Sequence, residues 1–220
     1  GRYLYEQVMI AKSLFDNIDD ADWRKTTWID PQDAGKIPDR NKYSTLLTDA
    51  EWSQVSPYAN FKFRPKGGNR SDYRAGGATH LPLMRVEEMY FIEIEAMAFT
   101  KGVVAASRAL ESFINTYRYR DGSYVCNASG TENFVHDHLI THKRIEFWGE
   151  GIMYYDYSRL NMAVSRGYPG TNYPVAQRYN SNTGNCVPWL NMYFPRSGEA
   201  LKNKGLVQNP GPKVSANVDV

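Results

Sequence analysis

The chain has 220 residues and a formal net charge of +2, a length that suffices for one sizeable hydrophobic core or two small ones. The near-neutral charge excludes the strongly basic surface that dominates nucleic-acid binding. No apolar stretch approaches the roughly 18 residues that indicate a transmembrane helix.

The first predicted element is a helix near the start of the chain. Apolar residues recur there at helical spacing: Leu4, Val8, Ala11, Phe15 and Ile18. The chain opens without Met, a charged region or the apolar region of a signal peptide. We therefore expect any targeting segment to be absent or already removed.

Residues 19–80 are rich in Gly, Pro, Asn and aromatic side chains and have little periodicity. Weak alternation at residues 59–63 predicts a short strand. Sugar rings stack on Trp or Tyr, and their hydroxyls bond to planar polar groups. This segment therefore offers Trp28, Trp52 and Tyr58 as candidate ligand-binding platforms. The alternative, that its aromatic residues form a core, remains open.

Two helices are predicted back to back between residues 81 and 119. The first carries an apolar stripe of Leu83, Val86, Tyr90, Ile94 and Met97, and the second one of Ala106, Ala109, Leu110, Phe113 and Tyr117. A break at residues 100–102 separates them. This helix–turn–helix pattern is typical of tetratricopeptide-like units, which must stack because one unit cannot bury both faces. The expected fold is mainly α, with tetratricopeptide-like hairpins and long irregular loops.

A third helix is predicted from Thr131, a candidate N-cap, to Gly149. Apolar residues surround its C-terminal part, which indicates burial on most sides. Lys143, Glu146 and Glu150 nevertheless lie on one stripe, with Arg144 opposite. Because an unpaired buried charge costs roughly several kcal/mol, we predict an ionic network in which Lys143 and Arg144 are partners of Glu146.

The same helix suggests two kinds of chemistry. Glu146 and Glu150 are a candidate carboxylate pair for glycosidic hydrolysis, although their spacing on one helical turn beside Lys143 favours a structural charge network. His138 and His142 lie four residues apart and could share a metal ion. The helix offers no third ligand, so structural histidines are favoured.

Segments in order along the chain resemble the SusD/RagB family of outer-membrane nutrient-binding lipoproteins. The matched positions are Pro82, Arg85, Glu88, Glu95 and Ala96; then Asn115, Arg118 and Arg120; then Arg144, Glu146, Glu150, Gly151, Asp156 and Arg159; and finally Phe194, Pro195, Glu199, Leu206, Gln208, Asn209, Pro210 and Gly211. His142 and Met153 depart from the family pattern, which usually has Glu and Arg there. Because the matched blocks contain no cysteine, we expect Cys126 and Cys186 to be free thiols.

The resemblance implies that residues 1–220 form one domain, the C-terminal part of a SusD-like protein. Its segments would be a loop-rich stretch (19–80), a helical core (81–160) and a loop-rich C-terminal stretch (161–220). The parent would be a surface-exposed lipoprotein of the outer membrane in Bacteroidetes-type bacteria, anchored by an N-terminal lipid that this chain lacks.

The resemblance also implies a function. The protein would bind an oligosaccharide without cleaving it and deliver it to a SusC-like TonB-dependent transporter. It would need no cofactor or metal and would bind no nucleic acid. The family's sugar contacts vary in position, so none transfers to this chain by match. Two alternatives remain: a glycoside hydrolase using Glu146 or Glu150, and a structural solenoid scaffold.

Overall fold

The structure is a computed structural model that describes residues 9–36, 39, 42–43, 49–63, 83–181 and 202–207. These residues are mainly helical, and β pairing among them is limited to isolated bridges. The elements in chain order are α1 (Lys12–Asp16), a 3₁₀-helix (Trp23–Thr27), α2 (Asp49–Trp52), α3 (Val86–Thr100), α4 (Val103–Tyr117), α5 (Thr131–Asn133), a π-helix (Phe134–Leu139), α6 (Ile140–Glu146), α7 (Ile152–Arg159) and a 3₁₀-helix (Val175–Gln177). The predicted mainly α class is confirmed.

The chain divides into two compact units, Gly1–Trp148 and Gly149–Val220. The boundary falls within residues 81–160, which we expected to form one helical core. The expectation of a single domain stays a prediction. Elements α1 to α6 belong to the first unit, and α7 belongs to the second. No helix among the described residues has the length and apolar character needed to cross a membrane.

Helices α3 and α4 form the predicted helical hairpin. They pack against each other and are joined by Lys101 and Gly102. Gly102 has a φ of 89°, a conformation that glycine adopts without steric cost. The buried residues of α4 follow the predicted stripe at Leu110 and Phe113, whereas Tyr117 is exposed.

The buried face of α3 differs from its predicted stripe. Phe91, Ile94 and Ala98 are buried, while Val86 and Tyr90 are exposed. The helix carries apolar residues on nearly every side, so periodicity alone does not select the face that packs. Contacts with α4 and with the π-helix determine which face of α3 is buried.

The predicted third helix is a continuous helical segment from Thr131 to Glu146 with a π-helical middle. Its N-cap is Gly130 rather than Thr131, whose hydroxyl donates to the carbonyl of Ala98 at 3.4 Å. At the other end, Lys62 Nζ donates to the Glu146 carbonyl at 2.7 Å. A cation is favourable there, because the last carbonyl groups of a helix carry partial negative charge.

Two predicted elements are shorter than expected. The first helix spans only Lys12–Asp16 within the described residues, because Met9 pairs with Ala59 in an extended bridge; residues 1–8 lie outside the described part. The strand at residues 59–63 is reduced to isolated bridges. Ala59, Asn60 and Phe61 are all buried, so the alternation that predicted a strand is not realised.

Two aromatic-rich clusters form the core beneath the irregular segment. One contains Ile10, Leu14, Phe15, Ile18, Trp28 and Ile145. The other contains Ile29, Tyr43, Trp52, Val55, Ala59 and Phe61. Cys126 is a buried free thiol, and Cys186 lies outside the described residues. The irregular segment is thus folded around its own aromatic side chains.

Candidate functional site

The carboxylate of Glu146, at the C-terminal end of α6, is the centre of a buried ionic network. Arg118 bonds to both oxygens, with Nε at 2.8 Å from Oε2 and Nη2 at 3.0 Å from Oε1. Arg24 Nη1 bonds to Oε2 at 2.8 Å, and Arg85 Nη1 bonds to Oε1 at 3.0 Å. Both oxygens are therefore saturated by charge-assisted hydrogen bonds.

Further carboxylates balance these cations. Asp22 holds Arg24 with a contact of 2.6 Å, and Glu87 lies 3.2 Å from Arg85 and 3.4 Å from Arg118. Within the described part of the chain the network joins the cations Arg24, Arg85 and Arg118 to the anions Asp22, Glu87 and Glu146. Among the described residues each of these three cations thus contacts at least one carboxylate, and such pairing is the condition under which buried ions are tolerated.

The network determines the protonation state of Glu146. Burial by itself raises the pKa of this carboxyl, but the hydrogen bonds and charges of Arg118 and Arg24 outweigh burial and lower the pKa to about 2. Glu146 is therefore ionised at neutral pH. A group in this state cannot donate a proton to a leaving oxygen, so the geometry does not favour Glu146 as the acid of a glycosidase. Glu150, the other carboxylate of the candidate catalytic pair, belongs to the second unit.

The predicted ionic network exists, but the arginines that bond to Glu146 differ from the expected partners. We expected Lys143 and Arg144 on the same helix, whereas Arg24, Arg85 and Arg118 lie 122, 61 and 28 residues away in sequence. The physical reason is geometric: Glu146 is the last residue of α6, so side chains from other elements can approach it from beyond the helix end.

A polar cleft lies beside this network and has a volume of about 130 Å³. Its lining comes from the end of α1, the loop before the first 3₁₀-helix, the residues after α4, and the π-helix with α6. The lining residues are Asn17, Ile18, Asp19, Asp22, Tyr119, Tyr124, Asp137, His138, Thr141, His142 and Ile145. The cleft thus combines carboxylates, imidazoles and two phenol rings.

His142 connects the cleft to the ionic network. Its Nδ1 lies 3.0 Å from Arg24 Nη2, and a guanidinium only donates, so Nδ1 is the acceptor and the proton is on Nε2. Burial, reinforced by the charge of Arg24, lowers the pKa of His142 well below 6.5. The imidazole is therefore a fixed neutral donor. Nε2 has no hydrogen-bond partner among the described residues.

The surroundings of the cleft raise the pKa of the Tyr119 phenol. Burial raises the pKa of Tyr119 to about 12, and the charges of Asp19 and Asp22 contribute. Asp19 Oδ1 accepts from the amide of Ala21 at 2.8 Å, and Asp137 Oδ2 accepts from Asn133 at 2.5 Å. One oxygen of each carboxylate is thus engaged by a residue of its own segment.

The histidine pair that was considered as a metal site does not have metal geometry. His138 and His142 line the same cleft, but Nδ1 of His142 faces a cation. No group of three or more His, Cys, Asp or Glu side chains in the described ranges is arranged to hold a metal ion.

The candidate sugar platforms lie elsewhere and are packed. Trp28 is 1% exposed and Trp52 is 0% exposed, and each belongs to one of the two core clusters. Neither indole presents a face to solvent, so the expectation that they are open platforms is corrected: the irregular segment uses them as its core. Tyr58 is half-buried and packs edge-on against Phe15 at 5.5 Å. The structure does not bring these three side chains to the cleft.

Sequence reasoning singled out only part of the cleft. His138 and His142 stood out because they lie four residues apart on one predicted helix. Asp19, Tyr119 and Tyr124 gave no local signal, because they join the cleft only through tertiary packing. Comparisons of the chain with models of protein families, with curated proteins and with solved structures give no match.

Proposed function

We propose that this chain is part of a SusD/RagB-like protein that binds an oligosaccharide without cleaving it. The observation that carries the proposal is the meeting of residues from three separate matched segments. Arg85, Arg118 and Glu146 were matched at distant positions of the sequence, and both arginines bond to the carboxylate of Glu146 in a single buried network. Residues that share one network have a common structural reason to occur together in a family pattern.

The architecture is compatible with this proposal. Helices α3 and α4 pack as a hairpin, and α3 keeps apolar side chains exposed on the side away from its buried face, such as Met89, Ile92 and Phe99. An exposed apolar face of this kind is what a stacked tetratricopeptide-like neighbour would cover. The finer description of the fold as tetratricopeptide-like belongs to the proposal.

In the proposed role, the parent protein is a lipoprotein on the surface of the outer membrane. It captures the glycan and delivers it to a SusC-like TonB-dependent transporter. No cofactor takes part. The saturated, ionised state of Glu146 supports binding without hydrolysis, because this residue is held as a structural anion.

Affinity gel electrophoresis tests the proposal. The protein is run through native gels containing plant and host polysaccharides, with a gel lacking polysaccharide as the control, and the same mixtures are assayed for new reducing ends. Retardation without new reducing ends is the expected result. New reducing ends would assign a hydrolase instead. Absence of both with every glycan would favour a structural scaffold.

A further inference from the structure

We propose that the cleft between Tyr119, Asp137 and His142 is a subsite for a single neutral hexopyranose residue. This inference rests on the proposed function, because it names where part of the glycan binds. It replaces Trp28 and Trp52 as the expected contact residues. The cleft is formed entirely by the first unit.

The size of the cleft limits its occupant. A volume of about 130 Å³ corresponds to roughly four water molecules at about 30 Å³ each. Sites for whole drug-sized ligands are larger, at about 300–1,000 Å³. The cleft therefore accepts no more than one sugar residue, and the rest of an oligosaccharide would extend from its mouth.

The cleft offers both hydrogen-bond donors and acceptors. His142 is 5% exposed, and its Nε2–H is oriented by the contact of Nδ1 with Arg24. Asp19 and Asp137 are exposed at the rim and supply carboxylate oxygens. A sugar hydroxyl both donates and accepts, so one diol can satisfy His142 and a carboxylate together.

Two phenol rings supply an apolar surface in the same cleft. The rings of Tyr119 and Tyr124 have centroids 5.4 Å apart and are tilted by 59°. Tyr124 also packs edge-on against the His142 ring at 4.6 Å. The C–H face of a pyranose packs well on such rings. The cleft thus places polar groups beside an apolar surface, which is the combination that a sugar ring requires.

A neutral sugar fits this arrangement better than an organic ammonium ion. An ammonium group only donates, so it cannot satisfy Nε2–H of His142. The carboxylates would attract an ammonium ion, and for this reason the cation is a control in the test.

The local backbone supports a functional role. Asp137 and His138 lie on the π-helix Phe134–Leu139, and π-helical turns occur frequently at functional sites. The wall behind them is held by ion pairs, since His142 contacts Arg24 and Arg24 is bonded to both Asp22 and Glu146. Preorganised polar groups of this kind reduce the cost of ordering on binding.

NMR titration tests the subsite directly. The probes are the methyl α-glycosides of glucose, galactose and mannose, with methylammonium chloride as the cation control. The ring Cε1–H resonances of His138 and His142 report on the cleft. We expect saturable shifts with at least one glycoside and none with methylammonium. Shifts produced only by methylammonium, or by no probe, would overturn the subsite.

Matched variants sharpen the test. Asp137→Asn preserves shape and removes the charge, so its Kd for the active glycoside should rise about tenfold, as for loss of a charge-assisted bond. Asp20→Asn is the control, because Asp20 lies beside Asp19 but pairs with Lys25 outside the cleft. Asp19→Asn is a second cleft variant should Asp137→Asn fold poorly. Equal affinity in the correctly folded cleft variant and the control would refute the proposed contacts.

The proposed function and the proposed subsite can be refuted independently of each other. If polysaccharides retard the protein while the glycosides leave both histidines unshifted, the glycan-binding function stands and the subsite is wrong. If the glycosides shift the histidines but no polysaccharide retards the protein, the subsite stands and the surface-capture function is wrong.

Discussion

Helix α6 carries Glu146 at its end and His142 one turn earlier, and the two side chains have opposite surroundings. Both oxygens of Glu146 are bonded by arginines from three other segments. His142 has one nitrogen bonded to Arg24, has no other hydrogen-bond partner among the described residues, and lines a cleft with other polar groups. A saturated buried charge holds elements together and has no capacity for a ligand. A partly satisfied polar side chain beside a cavity retains that capacity. Nearness to a charged cluster is therefore a poor guide to function.

The largest expected effect comes from breaking the network at its centre. Glu146→Ala leaves Arg24 and Arg118 buried without their shared anion, which costs about 3–5 kcal/mol. The melting temperature should fall by at least about 6 °C for a chain of this size, measured by circular dichroism. Glu132→Ala, at an exposed carboxylate, is the control. A Glu146→Ala protein that melts like the parent but loses an activity would make Glu146 functional rather than structural.

A second prediction concerns the tryptophans first considered as platforms. Trp28→Ala and Trp52→Ala remove fully buried indoles, and each should lower the free energy of unfolding by about 3–5 kcal/mol. Trp23→Ala, at a residue 40% exposed whose Nε1 donates to Tyr117 at 2.7 Å, should cost only about 1–2 kcal/mol. Urea unfolding measures all three. Weakened glycan binding at unchanged stability would instead identify the affected tryptophan as a platform.

The third prediction is the pH dependence of stability. The pKa of Glu146 falls from 4.5 to about 2 on folding, so its contribution is complete above pH 4.5 and is lost as the pH falls towards 2. The shift corresponds to about 3 kcal/mol. His142, whose pKa is also lowered from 6.5, adds a loss that begins nearer pH 6.5.

Urea unfolding of the parent and of Glu146→Gln at several pH values between 7 and 2.5 separates the two groups. The glutamine variant keeps His142, so the difference between the proteins should shrink only below about pH 4.5. A constant difference down to pH 2.5 would contradict the lowered pKa of Glu146.

The smallest effect is expected from Arg118→Lys. Arg118 reaches both oxygens of Glu146 through Nε and Nη2, and a single ammonium cannot reproduce this two-point contact. We expect a loss of about 1–2 kcal/mol, measured by urea unfolding against Arg120→Lys at an exposed position. Equal stability of the two variants would show that charge alone, without the forked geometry, holds Glu146.

The helical part of the fold was predictable because its signals are local. The break at residues 100–102 correctly separated α3 from α4, and Gly151, with a φ of 83°, directly precedes α7. The irregular segment was less predictable. Its tryptophans are spaced without period, and the same composition suits a binding surface or a core. Only packing distinguishes these two outcomes, and the structure buries Trp28 and Trp52.

The sequence by itself determined that the chain is mainly α, that Glu146 lies in a buried ionic network, and that His138 and His142 share one helix. The first conclusion follows from periodicity in several segments, and the other two follow from the residues of one helix. The tertiary structure decided which arginines bond to Glu146 and that Tyr119 and Asp19 join His142 around one cleft. These partners come from segments separated by tens of residues, whose meeting depends on long-range packing rather than on any local pattern.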